Sequence, residues 1–125
     1  MKRIISTNDA PSAIGPYSQG IQVGSFLFVS GQLPIDPASG QIVEGGVKAQ
    51  TYQSLKNLQG IIEAAGSGLI NVVKTTVFLK DMNEFAHMND VYGQFFSDYP
   101  ARSAVEVSRL PKNAQVEVEA IVYLG

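Results

Sequence analysis

The chain has 125 residues, 45% hydrophobic and 16% charged, the profile of one globular domain over residues 1–125 rather than a disordered or fibrous polypeptide. With no cysteine and one histidine, His87, it offers no disulfide scaffold, no thiolate zinc site, no thiol nucleophile and no histidine-built metal centre. A formal net charge of −2, with nine Lys and Arg scattered along the chain, argues against nucleic acid as the main partner.

The opening residues, Met1 to Ala10, hold no apolar stretch of signal-peptide length, and no apolar run approaches the ~18 residues of a membrane span. A cytoplasmic protein is therefore expected. The first predicted elements are two β-rich runs, Ile21 to Val23 and Phe26 to Ser30, around Gly24-Ser25, a two-residue hairpin turn. A loop from Gln32 to about Gly46 follows, punctuated by Pro34, Asp36-Pro37 and Ser39-Gly40. From Val47 the apolar period changes. Thr51, Leu55, Leu58, Ile62 and Ala65 fall at spacings of four and three, one stripe of an amphipathic helix that Gly66 stops. Val72 to Leu79, rich in β-branched residues, reads as a strand buried on at least one face. Asp81, with Glu84 three residues later, is a variant capping box opening a second helix, striped by Phe85, Met88, Tyr92 and Phe95 and barred from continuing by Pro100.

A further strand carries Ser103, Val105 and Val107 on one face, and Leu110-Pro111 turns the chain into the last strand, Val116 to Leu124. There Val116, Val118, Ala120, Val122 and Leu124 share a core face, while Glu117, Glu119, Ile121 and Tyr123 share the other. Two carboxylates among apolar groups suit an interface or a pocket wall better than open solvent. The order strand, strand, helix, strand, helix, strand, strand predicts an α+β fold, with both helices on one face of a mixed sheet and the other face covered by something else. A domain this small has little surface left to enclose a pocket, so a subunit interface is a natural place for a site.

Four segments gather polar residues and glycines at strand ends: IGPYSQG at Ile14 to Gly20, SGQ at Ser30 to Gln32, PARSA at Pro100 to Ala104, and VEVEA at Val116 to Ala120. In this order and spacing, and with KTTVFLKDMNEFAHMNDVY at Lys74 to Tyr92, the whole chain resembles the RidA (YjgF) branch of the Rid family of enamine/imine deaminases. That resemblance implies a chorismate-mutase-like α+β fold and a homotrimer with sites in the clefts between subunits. It implies neither metal nor organic cofactor. The implied reaction is hydrolysis of 2-aminoacrylate, 2-iminopropanoate and 2-iminobutanoate to 2-oxo acids and ammonia.

Carried over residue by residue, the resemblance makes Arg102 the group that holds the substrate carboxylate, for which a planar guanidinium can form two parallel charge-assisted hydrogen bonds. A salt-bridged arginine at a strand start is the plainer reading. Glu117 is implied to handle the water that attacks the imine carbon, a proton-transfer task a carboxylate near an apolar interface can perform. Glu119 is its obvious rival. Tyr17 is implied to hydrogen-bond substrate or water, or else packs on a neighbour. Ser30 and Gly31 would line the pocket, where glycine permits close approach. Asn89 is implied near the site, with a capping or interface role equally open. Ala104 stands where many relatives carry cysteine and keeps the backbone N–H that helps bind the carboxylate. The stretch Phe95 to Pro100 is shorter than in some relatives, which bears on one pocket edge and on substrate range. His87, off the helix stripe, reads as a surface residue. Two other classes remain open: a non-catalytic 2-oxo-acid binder regulating a metabolic enzyme or transcription factor, which needs Arg102 but not Glu117, and an endoribonuclease, which the acidic balance and lone histidine disfavour.

Overall fold

In the computed structural model, which describes residues 1–125, the chain runs through β1 (Lys2–Ile5), β2 (Gly20–Val23), β3 (Phe26–Gln32), α1 (Val47–Ala64), β4 (Val72–Leu79), α2 (Phe85–Phe95), β5 (Ala101–Glu106) and β6 (Val116–Tyr123). Gly24, at φ +56°, supplies the left-handed residue that a two-residue turn needs, and β2 pairs with β3 with Val23 opposite Phe26. Helix α1 ends in a Schellman arrangement: Gly66, at φ +85°, donates to the Glu63 carbonyl (2.9 Å) and Ser67 to that of Ile62 (3.1 Å). The six strands lie in the order β1-β2-β3-β6-β4-β5. Only β4 and β5 are parallel, as the α2 crossover between them allows; every other pair is antiparallel.

Both helices pack on one face of this sheet. Leu55, Leu58, Ile61 and Ile62 of α1 and Met88 and Tyr92 of α2 join Leu27, Val29, Val77, Leu79, Val116, Val118 and Val122 in one hydrophobic cluster. Each such side chain contributes roughly 1.5–3 kcal/mol on burial. Inside it the Tyr92 phenol and the Thr75 hydroxyl share a hydrogen bond of 2.7 Å. Tyr92→Phe removes one partner and leaves a fully buried hydroxyl unsatisfied, so a loss of about 1–3 kcal/mol is expected in chemical denaturation. Adding Thr75→Val should recover most of it, and a double variant no better than the single one would show that the bond is not the cause.

The register places Ile4, Ile21, Phe28 and Ile121 in one row across the opposite face and Val23, Phe26 and Tyr123 in the next, with Phe26 and Tyr123 ring centroids 5.6 Å apart. Ile4, Val23, Phe26, Phe28 and Tyr123 are exposed, an apolar face beyond what scattered surface hydrophobes make. No helix is long and apolar enough to cross a membrane.

Three details differ from the sequence reading. Strand β1 was not anticipated, because four residues with only Ile5 buried leave no alternating pattern to detect. Asp81 does accept from the Asn83 N–H (2.9 Å), but it caps a short 3-10 turn, Met82–Glu84, that feeds α2. Glu84 does not reach back; its carboxylate meets His87 Nδ1 at 3.0 Å, on the exposed side of the helix, so the reciprocal half of the capping box is absent. Val107 lies just beyond β5, although its N–H still donates to the Leu79 carbonyl (2.9 Å).

Candidate functional site

The candidate residues fall into two groups. Glu117 and Glu119 project from β6 onto the face that the helices leave open, beside the bulged end of β3. They line a concavity of about 580 Å³ together with Ser30, Gly31, Tyr17, Ile14 and Lys112. The bulge brings the Gly31 backbone against the Glu117 carboxyl: a Cβ on Gly31 would lie 2.8 Å from Glu117 Cδ and 2.9 Å from Oε2. Any larger residue there displaces the carboxyl, which gives the glycine of SGQ a physical reason. Burial pushes the Glu117 carboxyl above its usual range, and the neighbouring Glu119 charge adds to the effect.

Ser30 contributes a wall, with its hydroxyl proton committed to the Ser18 carbonyl (2.5 Å) and its N–H to that of Gln19 (3.0 Å). Tyr17 is 51% exposed, and its phenol oxygen accepts only the Ile14 N–H, at a long 3.3 Å. Its own proton is free for an incoming group. Lys112 was not singled out from the sequence. It is held in the left-handed conformation at φ 56°, followed by Asn113 at φ 58°, whose Oδ1 accepts from Lys80 Nζ (2.7 Å). Only the tolerance of asparagine for that conformation hints at this in the sequence.

The second group lies on the other face. Arg102 sits opposite Thr75 in the β4–β5 register, and Thr75 is buried beneath α2, so the guanidinium emerges on the helix side at the sheet edge. One N–H donates to Asn89 Oδ1 at 2.7 Å, and the group lies over two aromatic faces, 5.3 Å from the Phe85 centroid and 4.8 Å from that of Tyr92. The chain's ion pairs are Lys48–Asp90 and Glu84–His87; no carboxylate meets Arg102. The salt-bridge reading is therefore excluded within the chain. The cation is held by neutral groups and keeps most of its five donors for something else. It opens, with Asn89, Gly93, Tyr99 and Pro100, into a concavity of about 470 Å³.

Phe85 and Tyr92 looked like a plain core stripe in the sequence; with Asn89 between them they form one helix face that cradles the arginine. Backbone alternation along β5, fixed by the Val107 bond to Leu79, turns the Arg102 and Ala104 N–H groups to the free outer edge of the sheet. Arg102, Asn89 and Ala104 thus gather at one edge, and Glu117, Glu119, Tyr17, Ser30 and Gly31 on the opposite face. A single chain does not bring the two groups together.

The profile of the endoribonuclease L-PSP family matches residues 7–124. A RutC family protein of Pyrococcus horikoshii is 58% identical, with 98% of each chain covered. The 2-iminobutanoate/2-iminopropanoate deaminase of Salmonella typhimurium is 51% identical, with 97% of each chain covered. Among solved structures, that of E. coli TdcF with bound serine superposes with a TM-score of 0.93 at 47% identity, over 97% of this chain and 98% of that one.

Proposed function

We propose, because the chain belongs to the endoribonuclease L-PSP family, the RidA/YjgF proteins, that it is a cofactor-independent imine hydrolase converting 2-iminopropanoate and 2-iminobutanoate to 2-oxo acids and ammonia. The observation that carries the reading is Arg102, an unpaired guanidinium in a neutral cradle, where a small carboxylate would find an unclaimed counter-charge. The naming of relatives at about 50% identity as deaminases of these imines supports it.

The active unit is an assembly of identical subunits, a homotrimer, with each site closed by the Arg102 edge of one protomer and the Glu117 cavity of its neighbour. Two features favour this: the two groups occupy opposite faces of one sheet, and an apolar face is left to be covered. Arg102 and the Ala104 N–H hold the substrate carboxylate. Ionised Glu117 takes a proton from water as its oxygen adds to the imine carbon and passes that proton to the imine nitrogen, giving a carbinolamine. In the collapse Glu117 takes the carbinolamine hydroxyl proton and hands it to the departing nitrogen as the carbonyl forms and the C–N bond breaks, and ammonia leaves. The Tyr17 phenol is placed to hydrogen-bond the water or the carbinolamine oxygen.

A threonine dehydratase coupled to this protein should release 2-oxobutanoate faster than the dehydratase alone; no acceleration at any protein concentration would end the reading. Its pH dependence is fixed in sign. Glu117 must be ionised to act, and its carboxyl titrates above the usual range, so kcat/KM should rise with pH along an acid limb lying above that of an ordinary carboxyl. Glu119→Gln removes the neighbouring negative charge and should move that limb to lower pH; a limb that stays in place or moves up contradicts the assignment. The family's descriptive name raises RNA cleavage, but His87 is paired with Glu84 on an exposed helix face, and eleven Asp and Glu outnumber nine Lys and Arg.

A further inference from the structure

We propose that Gln19 is a positioning residue for this hydrolysis: its buried amide clamps the loop between β1 and β2, and so fixes Tyr17 and the adjoining wall of the Glu117 cavity. The inference rests on the proposed function and adds to it a residue that touches no reacting atom. Gln19 is only 4% exposed. Its Nε2 faces three carbonyl oxygens, those of Thr7 (3.1 Å), Ala10 (3.4 Å) and Pro11 (2.7 Å), while its Oε1 accepts the Thr7 N–H (2.7 Å). One side chain thereby satisfies both ends of a turn that has no regular secondary structure of its own. The backbone here is tied the other way, to β3: Ser30 donates its N–H to the Gln19 carbonyl and its hydroxyl to the Ser18 carbonyl.

The loop so anchored supplies Pro11, Ser12, Ile14 and Tyr17 to the cavity wall. Ile14 and Tyr17 are exposed, so this stretch has little buried apolar surface to hold it. Its order rests on hydrogen bonds, and the amide of Gln19 provides most of those from side chains. Loss of the clamp should therefore loosen the wall and leave the hydrophobic cluster intact.

The decisive variant is Gln19→Glu, which keeps the shape and reverses the hydrogen-bonding sense. An ionised carboxylate faces three carbonyl oxygens with nothing to donate; a protonated one regains a single donor, and burial favours that neutral form. Amide hydrogen exchange of residues 6–18 and kcat/KM would be followed from about pH 8 to pH 6, with Gln19→Leu as the variant that cannot recover. At pH 8 both variants should exchange at least tenfold faster in that segment alone and lose about 10- to 100-fold in kcat/KM, the range of a displaced catalytic group. As the pH falls, the ratio of Gln19→Glu to wild-type activity should rise, and its exchange should slow towards wild type; that of Gln19→Leu should do neither.

Wild-type exchange in the segment, undiminished kcat/KM, a pH-independent ratio, or accelerated exchange spread over α1 and β6 would each overturn the clamp. An inactive wild-type chain would sink the proposed function and the catalytic part of this inference with it. Indifferent Gln19 variants of an active chain would sink the inference alone.

Discussion

Arg102→Lys should lower kcat/KM for imine hydrolysis at least 100-fold, about 2.7 kcal/mol of transition-state stabilisation, while the chain still folds. The substitution keeps the charge and removes the geometry. A lysine ammonium cannot lie flat on the Phe85 and Tyr92 rings, splays its three donors from one atom where the guanidinium offers a carboxylate two parallel N–H groups, and reaches the same point with a flexible stem. Loss of the cradle contacts costs the fold little, since Arg102 is half-buried at a sheet edge and the core beneath it is untouched. Circular dichroism and a melting curve close to wild type are the control. Retention of more than a tenth of kcat/KM, a loss under ~1.4 kcal/mol, would remove Arg102 as the anchor.

For Glu117→Gln the expected loss is larger and of another kind. The amide keeps the size of the carboxyl and fits beside Gly31, but it cannot accept a proton from water, so turnover should fall by about 10²–10⁴-fold, the range for a lost general base. Calorimetric binding of 2-oxobutanoate should persist, because the carboxylate is still held by Arg102. Unchanged turnover would move the role to Glu119 or Tyr17. A wild-type chain that binds the oxo acid and turns nothing over would be a sensor, for which Glu117 is only a wall. The same variants test the shared site: co-refolding equal amounts of Arg102→Lys and Glu117→Gln chains should restore activity at about a quarter of the interfaces, where each chain supplies the group the other lacks. No recovery would place both groups in one subunit.

Much of the fold could be read from periodicity. The α1 and α2 stripes, the Gly24 turn, the Gly66 stop and the two faces of β6 are strong because each buries a repeating apolar set, and burial is what the sequence pattern encodes. Strand β1 escaped because an edge strand buries one side chain in four residues. The site was legible as residues and opaque as geometry. PARSA and VEVEA name Arg102 and Glu117, but nothing in the sequence says that alternate residues of neighbouring strands send them to opposite faces; that follows from the β4–β5 and β4–β6 registers. Nor could composition reveal that Gly31 yields its space to the Glu117 carboxyl, or that Phe85 and Tyr92 serve the arginine as well as the core. These are contacts between segments far apart in the chain, and local propensity carries no record of them.

The strand order also sets a timetable for biosynthesis. β6, made after the other five strands of this sheet, lies between β3 and β4, joining the β1-β2-β3 sheet half to the β4-β5 half. Until it emerges, the two halves share no ladder, the edges of β3 and β4 stand unpaired, and Val116, Val118 and Val122 are missing from the cluster on which both helices rest. Closure of this sheet must therefore wait for β6. A chain stopped before that strand presents two unpaired strand edges instead of a partial enzyme, so losing β6 harms the fold far more than losing β1, a short edge strand paired on one side only.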